Sequence, residues 1–504
     1  MDPEKANRHL EFVSGHSGGT ALEVMSLLLI ACYVVFLKLE CERLFFRNVS
    51  HYTTLIIDLF CIILQTVLPC TLLSNYILEY HFLLFFIAVI VKLRAPTDPP
   101  RIPVRDGFMA FRRFVRALVL LYSCVCIYGV DLPVFPRRYA KTEVSGVSLM
   151  DTGVGMIVIA IGLSNAAVSV LSQTRSRRKM IKTLMNAALP CLLLGVIRTA
   201  AVKVLGYPDH ETEYGVHWNF FFTLAFIRLG GFLATYAFSG MRDFDSMIIH
   251  FAFCVALAFI QQFLILPIAD HVFPHLTHPE ISRPLPTGNF DLWWLVQANA
   301  EGIISLTGYL SLYFYATALG ITVRLHLEPS KENGQSEKKL TFLCGQSKEG
   351  WFGNPKKVSA AILCISIPTF LIVAAYGKGS VSRRLVNVPY IALQIGLLAP
   401  PFALVIYRSF TTPVSPCKGR KDLIPLYSKI ANHGTMYFLV SNLFTGGLNF
   451  LFDSLVFLDM KPVWLSNLCQ FLLLSIYTGV CPLLAEWLSR LIFERRQITD
   501  EKSK

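Results

Sequence analysis

Asp131 and Lys141 stand ten positions apart in a stretch, Asp131 to Gly155, that holds more charge than a connection between two apolar runs requires. The flanking runs, Phe114–Val130 and Val154–Leu171, are each long enough to approach a bilayer crossing. Asp131 closes the first run, where desolvation raises a carboxyl's pKa. Carboxyls perturbed in this way are the material of general acid–base chemistry. Pro133 and Pro136 forbid a continuing helix, so the chain must turn back on itself. Arg137, Arg138 and Lys141 then lie near Asp131, Glu143 and Asp151. The competing reading of these residues is a solvated turn at the membrane surface.

Three further clusters carry polar groups that charge balance alone does not explain. Tyr207 to Asn219 is acidic through Asp209, Glu211 and Glu213, and adds Tyr214 with two histidines, His210 and His217, that titrate near neutrality. Asn219 there could instead be an ordinary helix cap, with Trp218 as an interfacial anchor. Asn299 with Glu301 opens another apolar run, which capping chemistry would also explain. Ser382 to Asn387 presents Arg383 and Arg384, a pair suited to an anion such as a lipid phosphate. Arg198, Lys203, Asn442, Thr445, Asn449 and Asp453 fall inside expected crossings, where polar groups are costly and must face the bundle interior or a wet cavity.

The elements that hold these groups are membrane helices. The chain has 504 residues, 54% hydrophobic and only 16% charged, and apolar windows recur from end to end. We expect an all-α polytopic helical membrane protein with about 13 transmembrane helices. They fall near 20–38, 53–73, 77–93, 114–130, 152–172, 184–205, 218–238, 247–266, 303–323, 358–376, 388–407, 434–457 and 463–486. The weakest of them are 77–93, with Glu79 and His81, and 388–407, interrupted by Pro400 and Pro401. Residues 1–504 then form a single integral-membrane domain. The first nineteen residues are polar and carry no compact apolar core, so no cleavable signal peptide is expected. A formal net charge of +13 does not point to nucleic acid, because the bases gather in short loops. The thirteen cysteines fall mostly in apolar segments and are expected as free thiols. No spacing matches a metal site.

Lysine and arginine concentrate in the odd-numbered connections, which the positive-inside rule assigns to the cytosol. The N-terminus then faces the opposite compartment and the C-terminus the cytosol. Asp131–Asp151, Gly206–Asn219, the approach to Asn299 and Lys378–Asn387 share the non-cytosolic face. The one sequon, Asn48-Val49-Ser50, falls on the cytosolic side and should stay unglycosylated.

Several blocks resemble those of the glucosaminyl-phosphatidylinositol acyltransferases, the GPI-anchor inositol acyltransferase (class W) family. They are Phe12-Val-x-Gly-x-x-Gly-Gly-x-x-x-Glu23, Val130-Asp-Leu-Pro-Val-Phe-Pro-Arg-Arg-Tyr-Ala-Lys-Thr-Glu143, Met150-Asp-x-Gly-Val-Gly155 and Thr212-Glu-Tyr-Gly-Val-His-Trp-Asn-Phe-Phe221. Asn299-x-Glu-Gly-Ile-Ile-Ser305, Ser382-Arg-Arg384 and Asn442-Leu-x-Thr-Gly446 with Asn449 complete them, in family order. The family carries arginine where this chain has Ala300.

The resemblance implies an endoplasmic reticulum enzyme that transfers a long acyl chain, typically palmitoyl, from acyl-CoA to the inositol 2-hydroxyl of glucosaminyl-phosphatidylinositol. No cofactor is implied beyond acyl-CoA as co-substrate, and the non-cytosolic face becomes the ER lumen. Asp131 is then the first choice as base and His217 the second, with Lys141 orienting Asp131 or stabilising the oxyanion. Arg137, Arg138, Arg383 and Arg384 would clamp the lipid phosphate or headgroup. Asp151, Glu213, Tyr214, Asn219, Asn299, Glu301, Asn442 and Asn449 complete the expected substrate surface. A secondary transporter or lipid flippase is the alternative, although no repeated halves are visible.

Overall fold

The computed structural model describes residues 8–9, 11–45, 50–94, 107–172, 177–205, 214–238, 241, 243–277, 281, 292–327, 355–411, 425–451 and 453–502. The chain is almost entirely helical there. In order come α1 (Ala21–Phe45), α2 (His51–Ile62), α3 (Ile77–Arg94), α4 (Gly107–Gly129), α5 (Thr152–Ser172), α6 (Arg177–Leu205), α7 (Phe220–Ala237) and α8 (Asp243–Ile260). After the short α9 (Leu266–Val272) and α10 (Leu292–Ala298) come α11 (Ala300–Leu327), α12 (Pro355–Tyr376), α13 (Val388–Thr411), α14 (Pro425–Asn432), α15 (Gly434–Leu451) and α16 (Val463–Lys502). His16–Gly18 and Thr142–Val147 are short strands.

Each of the thirteen expected crossings is helical over most of its length, as an all-α polytopic membrane protein requires. Among the described residues nine helices are long and apolar enough to cross a bilayer, and Tyr52–Val67 and Thr152–Ala166 are shorter apolar helices. The two left over are α4 and α15. One opens with Arg112, Arg113 and Arg116, and the other carries Asn442 and Asn449. Of the expected crossings, the two that fall short on apolarity are thus those that lead into Asp131 and present Asn449.

Pro400 and Pro401, expected to interrupt a crossing, sit inside the single helix α13. Conversely, α15 stops at Leu451, so Asp453 lies beyond the helix, where its carboxylate accepts the Leu455 N–H at 3.1 Å. The sequon Asn48 and several of the basic residues that set the expected topology, among them Arg101, Lys338 and Lys421, lie outside the described residues.

The chain divides into two compact units. One comprises 1–6, 142–147 and 154–399; the other comprises 7–141, 148–153 and 400–504. In the first, α5 and α11 approach closely enough that a Cβ on Gly162 would come within 2.5 Å of the Tyr313 carbonyl. Small residues allow such backbone approach where there is no water to drive association. In the second, Tyr122 Oη reaches the Leu27 and Gln65 carbonyls at 2.7 and 2.8 Å. Gln65 lies in the π-helical turn Ile63–Val67 that extends α2, a local departure from the α-helical ladder that leaves carbonyls needing other donors. Lys38 and Asp58 form a wholly buried ion pair at 2.6 Å, and Asp58 also accepts the Leu426 N–H at the start of α14. The described cysteines are free thiols, most of them buried.

Candidate active site

The reversal after α4 is built by its prolines and one arginine. Helix α4 ends at Gly129, where a Cβ would collide with the Phe135 ring at 2.8 Å. Successive turns then fold the chain back: Asp131 N–H donates to Tyr128 O at 3.2 Å and Leu132 N–H to Gly129 O at 2.9 Å. Arg137 locks the result. Its Nη1 donates to Val130 O at 2.7 Å, its Nη2 to Leu132 O at 2.9 Å and Phe135 O at 2.7 Å, and its Nε to Phe135 O at 3.1 Å. The guanidinium also lies 4.2 Å from the centre of the Phe12 ring. Burial lowers the Arg137 pKa to about 10, against the opposing effect of Asp131, so the group is cationic at neutral pH. Most of its donor capacity is spent on the main chain.

Arg138 points elsewhere, donating to Glu23 Oε1 at 2.9 Å, to the Ser74 carbonyl at 2.6 Å and to Asn75 Oδ1 at 3.3 Å. Glu23 is itself half of a capping box: its Oε2 accepts the Thr20 N–H, and Thr20 Oγ1 accepts the Glu23 N–H. A Cβ on Gly19 would sit 2.8 Å from Glu23 Oε2. The Gly-Gly-x-x-x-Glu block is therefore the start of α1 and the anchor of Arg138 together. From α16, Gln470 Oε1 accepts the Val134 N–H at 2.8 Å, a further hold on the reversal.

Asp131, 5% exposed, has a nitrogen close to each carboxylate oxygen, of which the one at Oδ2 makes a hydrogen bond. Asn449 Nδ2, from α15, donates to Oδ2 at 2.7 Å, and His9 Nε2 lies 3.1 Å from Oδ1. Lys141 is half-buried, two residues past the 3-10 turn Arg137–Tyr139. Asp151 is buried, with its N–H donating to Ser148 Oγ. Asn442, one helical stretch before Asn449, donates to the Phe438 carbonyl at 2.7 Å.

In the other unit, two clusters that are distant in sequence prove to be one structure. Asn299 Oδ1 accepts the N–H groups of both His217 and Trp218, at 2.9 and 2.8 Å. Its amide is thus spent on another segment, not on capping the helix that follows. Tyr214 accepts the Gly302 N–H at 3.0 Å through its carbonyl, and Val216 N–H donates to Ala298 O at 2.9 Å. The His217 ring stands edge-on to Trp294 with centroids 5.8 Å apart. Asn219 does cap α7, accepting from Phe221 and Phe222 N–H while its Nδ2 donates to Gly195 O and Thr199 Oγ1. Glu213, with Asp209, His210 and Glu211, lies outside the described residues.

Glu301, in the first turn of α11, is buried and accepts from Arg384 Nη2 at 3.1 Å. Arg383 and Arg384 are buried too, and Arg384 Nε has no hydrogen-bond partner among the described residues. Their loop is strained: Val386 has φ +47°, a region that β-branched residues rarely adopt. Gln261 Nε2 donating to Leu385 O, and Asn387 Oδ1 accepting from Ser382 and Tyr390 N–H, hold it there. Among the described residues no group of three or more His, Cys, Asp or Glu could hold a metal ion.

The residue that sequence reasoning missed is His9. It lies in a polar stretch ahead of the first block, and no periodicity links it to Asp131.

The GWT1 family model matches residues 5–485. GPI-anchored wall transfer protein 1 of Aspergillus fumigatus is 29% identical over 494 residues, covering 89% of this chain and 92% of that protein. Its namesakes are 28% identical in both Candida albicans, covering 88% and 91%, and Schizosaccharomyces pombe, covering 95% and 96%. With the family pattern spanning nearly the whole sequence, the chain belongs to the GWT1 family, in agreement with the resemblance that its motif blocks carry.

Proposed function

We propose that this chain is an acyltransferase of GPI-anchor biosynthesis in the ER membrane, moving a long acyl chain, typically palmitoyl, from acyl-CoA to the inositol 2-hydroxyl of glucosaminyl-phosphatidylinositol. Family membership supports the pathway and the transferase class. The observation that carries the chemistry is Asp131: a buried carboxylate just past the end of α4, hydrogen-bonded at Oδ2 by Asn449 and 3.1 Å from His9 Nε2 at Oδ1. Each oxygen keeps a second lone pair, so the group can still accept a proton. The inositol hydroxyl gives its proton to Asp131 as its oxygen adds to the thioester carbonyl carbon. Lys141 balances the charge that gathers on the carbonyl oxygen. Collapse then breaks the C–S bond, and the departing CoA thiolate takes the proton from Asp131.

The arginines divide by their present engagements. Arg137 and Arg138 hold the reversal, while Arg384, with Nε unspent, and Arg383 are the better candidates for the lipid phosphate. His217 remains the second candidate base. On this reading Asp131 faces the ER lumen, with the N-terminus lumenal and the C-terminus cytosolic.

The test is direct. Purified protein in detergent, given glucosaminyl-phosphatidylinositol and palmitoyl-CoA, should yield a lipid heavier by one palmitoyl group, with free CoA released in equal amount. Absence of that product from folded protein overturns the reading.

A further inference from the structure

His9 is joined to the candidate base by a contact that neither composition nor any motif block suggests. The ring is largely buried, and its Nε2 lies 3.1 Å from Asp131 Oδ1, opposite the amide of Asn449 on Oδ2. His9 stands 122 positions before Asp131. Among the described residues, Arg137, whose donors are engaged by the main chain, and Tyr128 at the end of α4 also interact with Asp131. His9 Nε2 therefore lies beside the one oxygen that Asn449 does not hold, within ion-pair distance but not aligned as a hydrogen bond.

A carboxylate on a helix end can turn about its side-chain bonds. One held at a single oxygen remains free to swing, whereas contacts at both oxygens fix the plane and leave the remaining lone pairs in set directions. Such preorganisation contributes to rate because the group need not be reoriented as the proton moves.

We infer that His9 is a positioning residue for Asp131: its close ion-pair contact restrains Oδ1, the Asn449 hydrogen bond holds Oδ2, and the two together aim the carboxylate at the acyl-accepting hydroxyl. The inference rests on the acyltransferase reading, within which His9 acts through Asp131 and does not itself touch substrate. An N-terminal segment outside the membrane helices thereby becomes part of the reaction machinery. Shortening the chain past residue 9 would remove it.

The experiment compares wild type, His9→Ala, His9→Gln and Arg8→Ala, all full length, in the palmitoyl-CoA assay, with thermal unfolding measured alongside. His9→Ala should lower kcat about 10- to 100-fold, as loss of a catalytic positioning contact does, with KM for both substrates within about threefold. Removing an ion-pair partner also disfavours the charged carboxylate, so the acidic limb of the kcat–pH profile should move to higher pH in His9→Ala. His9→Gln supplies a nitrogen donor and should recover most of the rate and the original limb. Arg8→Ala, an exposed neighbour, should match wild type. If wild type makes no acylated lipid, the acyltransferase reading fails. If wild type is active and His9→Ala equals it, or His9→Ala loses rate with an unmoved acidic limb and no recovery by glutamine, the positioning role is overturned.

Discussion

Asn449 donates to Asp131 across 2.7 Å and 318 positions of sequence, tying α15 to the reversal that follows α4. Both groups are buried, so the bond is charge-assisted and shielded from water. Asn449→Leu removes the donor and leaves an apolar side chain against a carboxylate. Turnover should fall about 10- to 100-fold, with a stability loss of about 1–3 kcal/mol read as a lower thermal midpoint in detergent. Asn449→Asp sets a second carboxylate beside the first and should be the worse of the two. Equal activity in Asn449→Leu would mean that this contact does not serve catalysis.

Asp131→Asn keeps the shape of the side chain and removes its basicity. Acylation should drop by about 100-fold or more while membrane expression and thermal midpoint stay close to wild type. Lys141→Ala should show a similar loss if the ammonium steadies the oxyanion. Product formation by mass spectrometry, normalised to folded protein, decides both. A mutant Asp131→Asn with near-normal turnover would hand the base role to His217.

The helical, polytopic character was legible because a membrane span has a length and an apolarity that a sequence displays directly, and among the described residues nine helices have both. So was the weight of the Asp131 reversal, since two prolines and a carboxylate at the end of an apolar run have few structural uses. Charge, however, does not tell where donors point. Arg137 reads as a phosphate clamp in sequence, yet its fork closes on three carbonyls of its own turn. Asn299 reads as a helix cap, yet its amide serves His217 and Trp218. The contact from His9 had no signal at all, because no local pattern records a meeting between distant loops. The π-turn at Gln65 was hidden for a related reason: the partner of its carbonyl is the Tyr122 hydroxyl of another helix.

Arg137 offers a clean separation of scaffold from substrate contact. Lysine keeps the charge and loses the planar fork, so Arg137→Lys forfeits several of the carbonyl bonds. The expected result is a lower thermal midpoint and a reduced kcat, because the chain around Asp131 loosens, with KM for the lipid little changed. Each lost charged hydrogen bond is worth about 1.5–3 kcal/mol before any relaxation. A rise in KM for the lipid alone, with kcat and stability preserved, would assign Arg137 to the lipid phosphate instead.

The pair Glu301 and Arg384 supports a sharper prediction, because both members are buried and their nitrogen–oxygen distance is 3.1 Å. Taking away one partner of such a pair leaves a charge in a medium that solvates it poorly, at a cost of about 3–5 kcal/mol. Arg384→Met should therefore lower the thermal midpoint markedly, and Glu301→Gln should do so less, since the amide keeps a hydrogen-bond acceptor. The double variant buries no uncompensated charge from either position and should recover more than half of the Arg384→Met loss. If Arg384 also meets the lipid phosphate, stability and lipid binding will separate: the double variant regains its midpoint but keeps a raised KM for glucosaminyl-phosphatidylinositol, with KM for palmitoyl-CoA unchanged. A double variant with a wild-type KM would leave Arg384 as a purely internal counter-charge that holds the strained Val386 loop against α11, and the lipid phosphate would have to be met by Arg383 or by other groups.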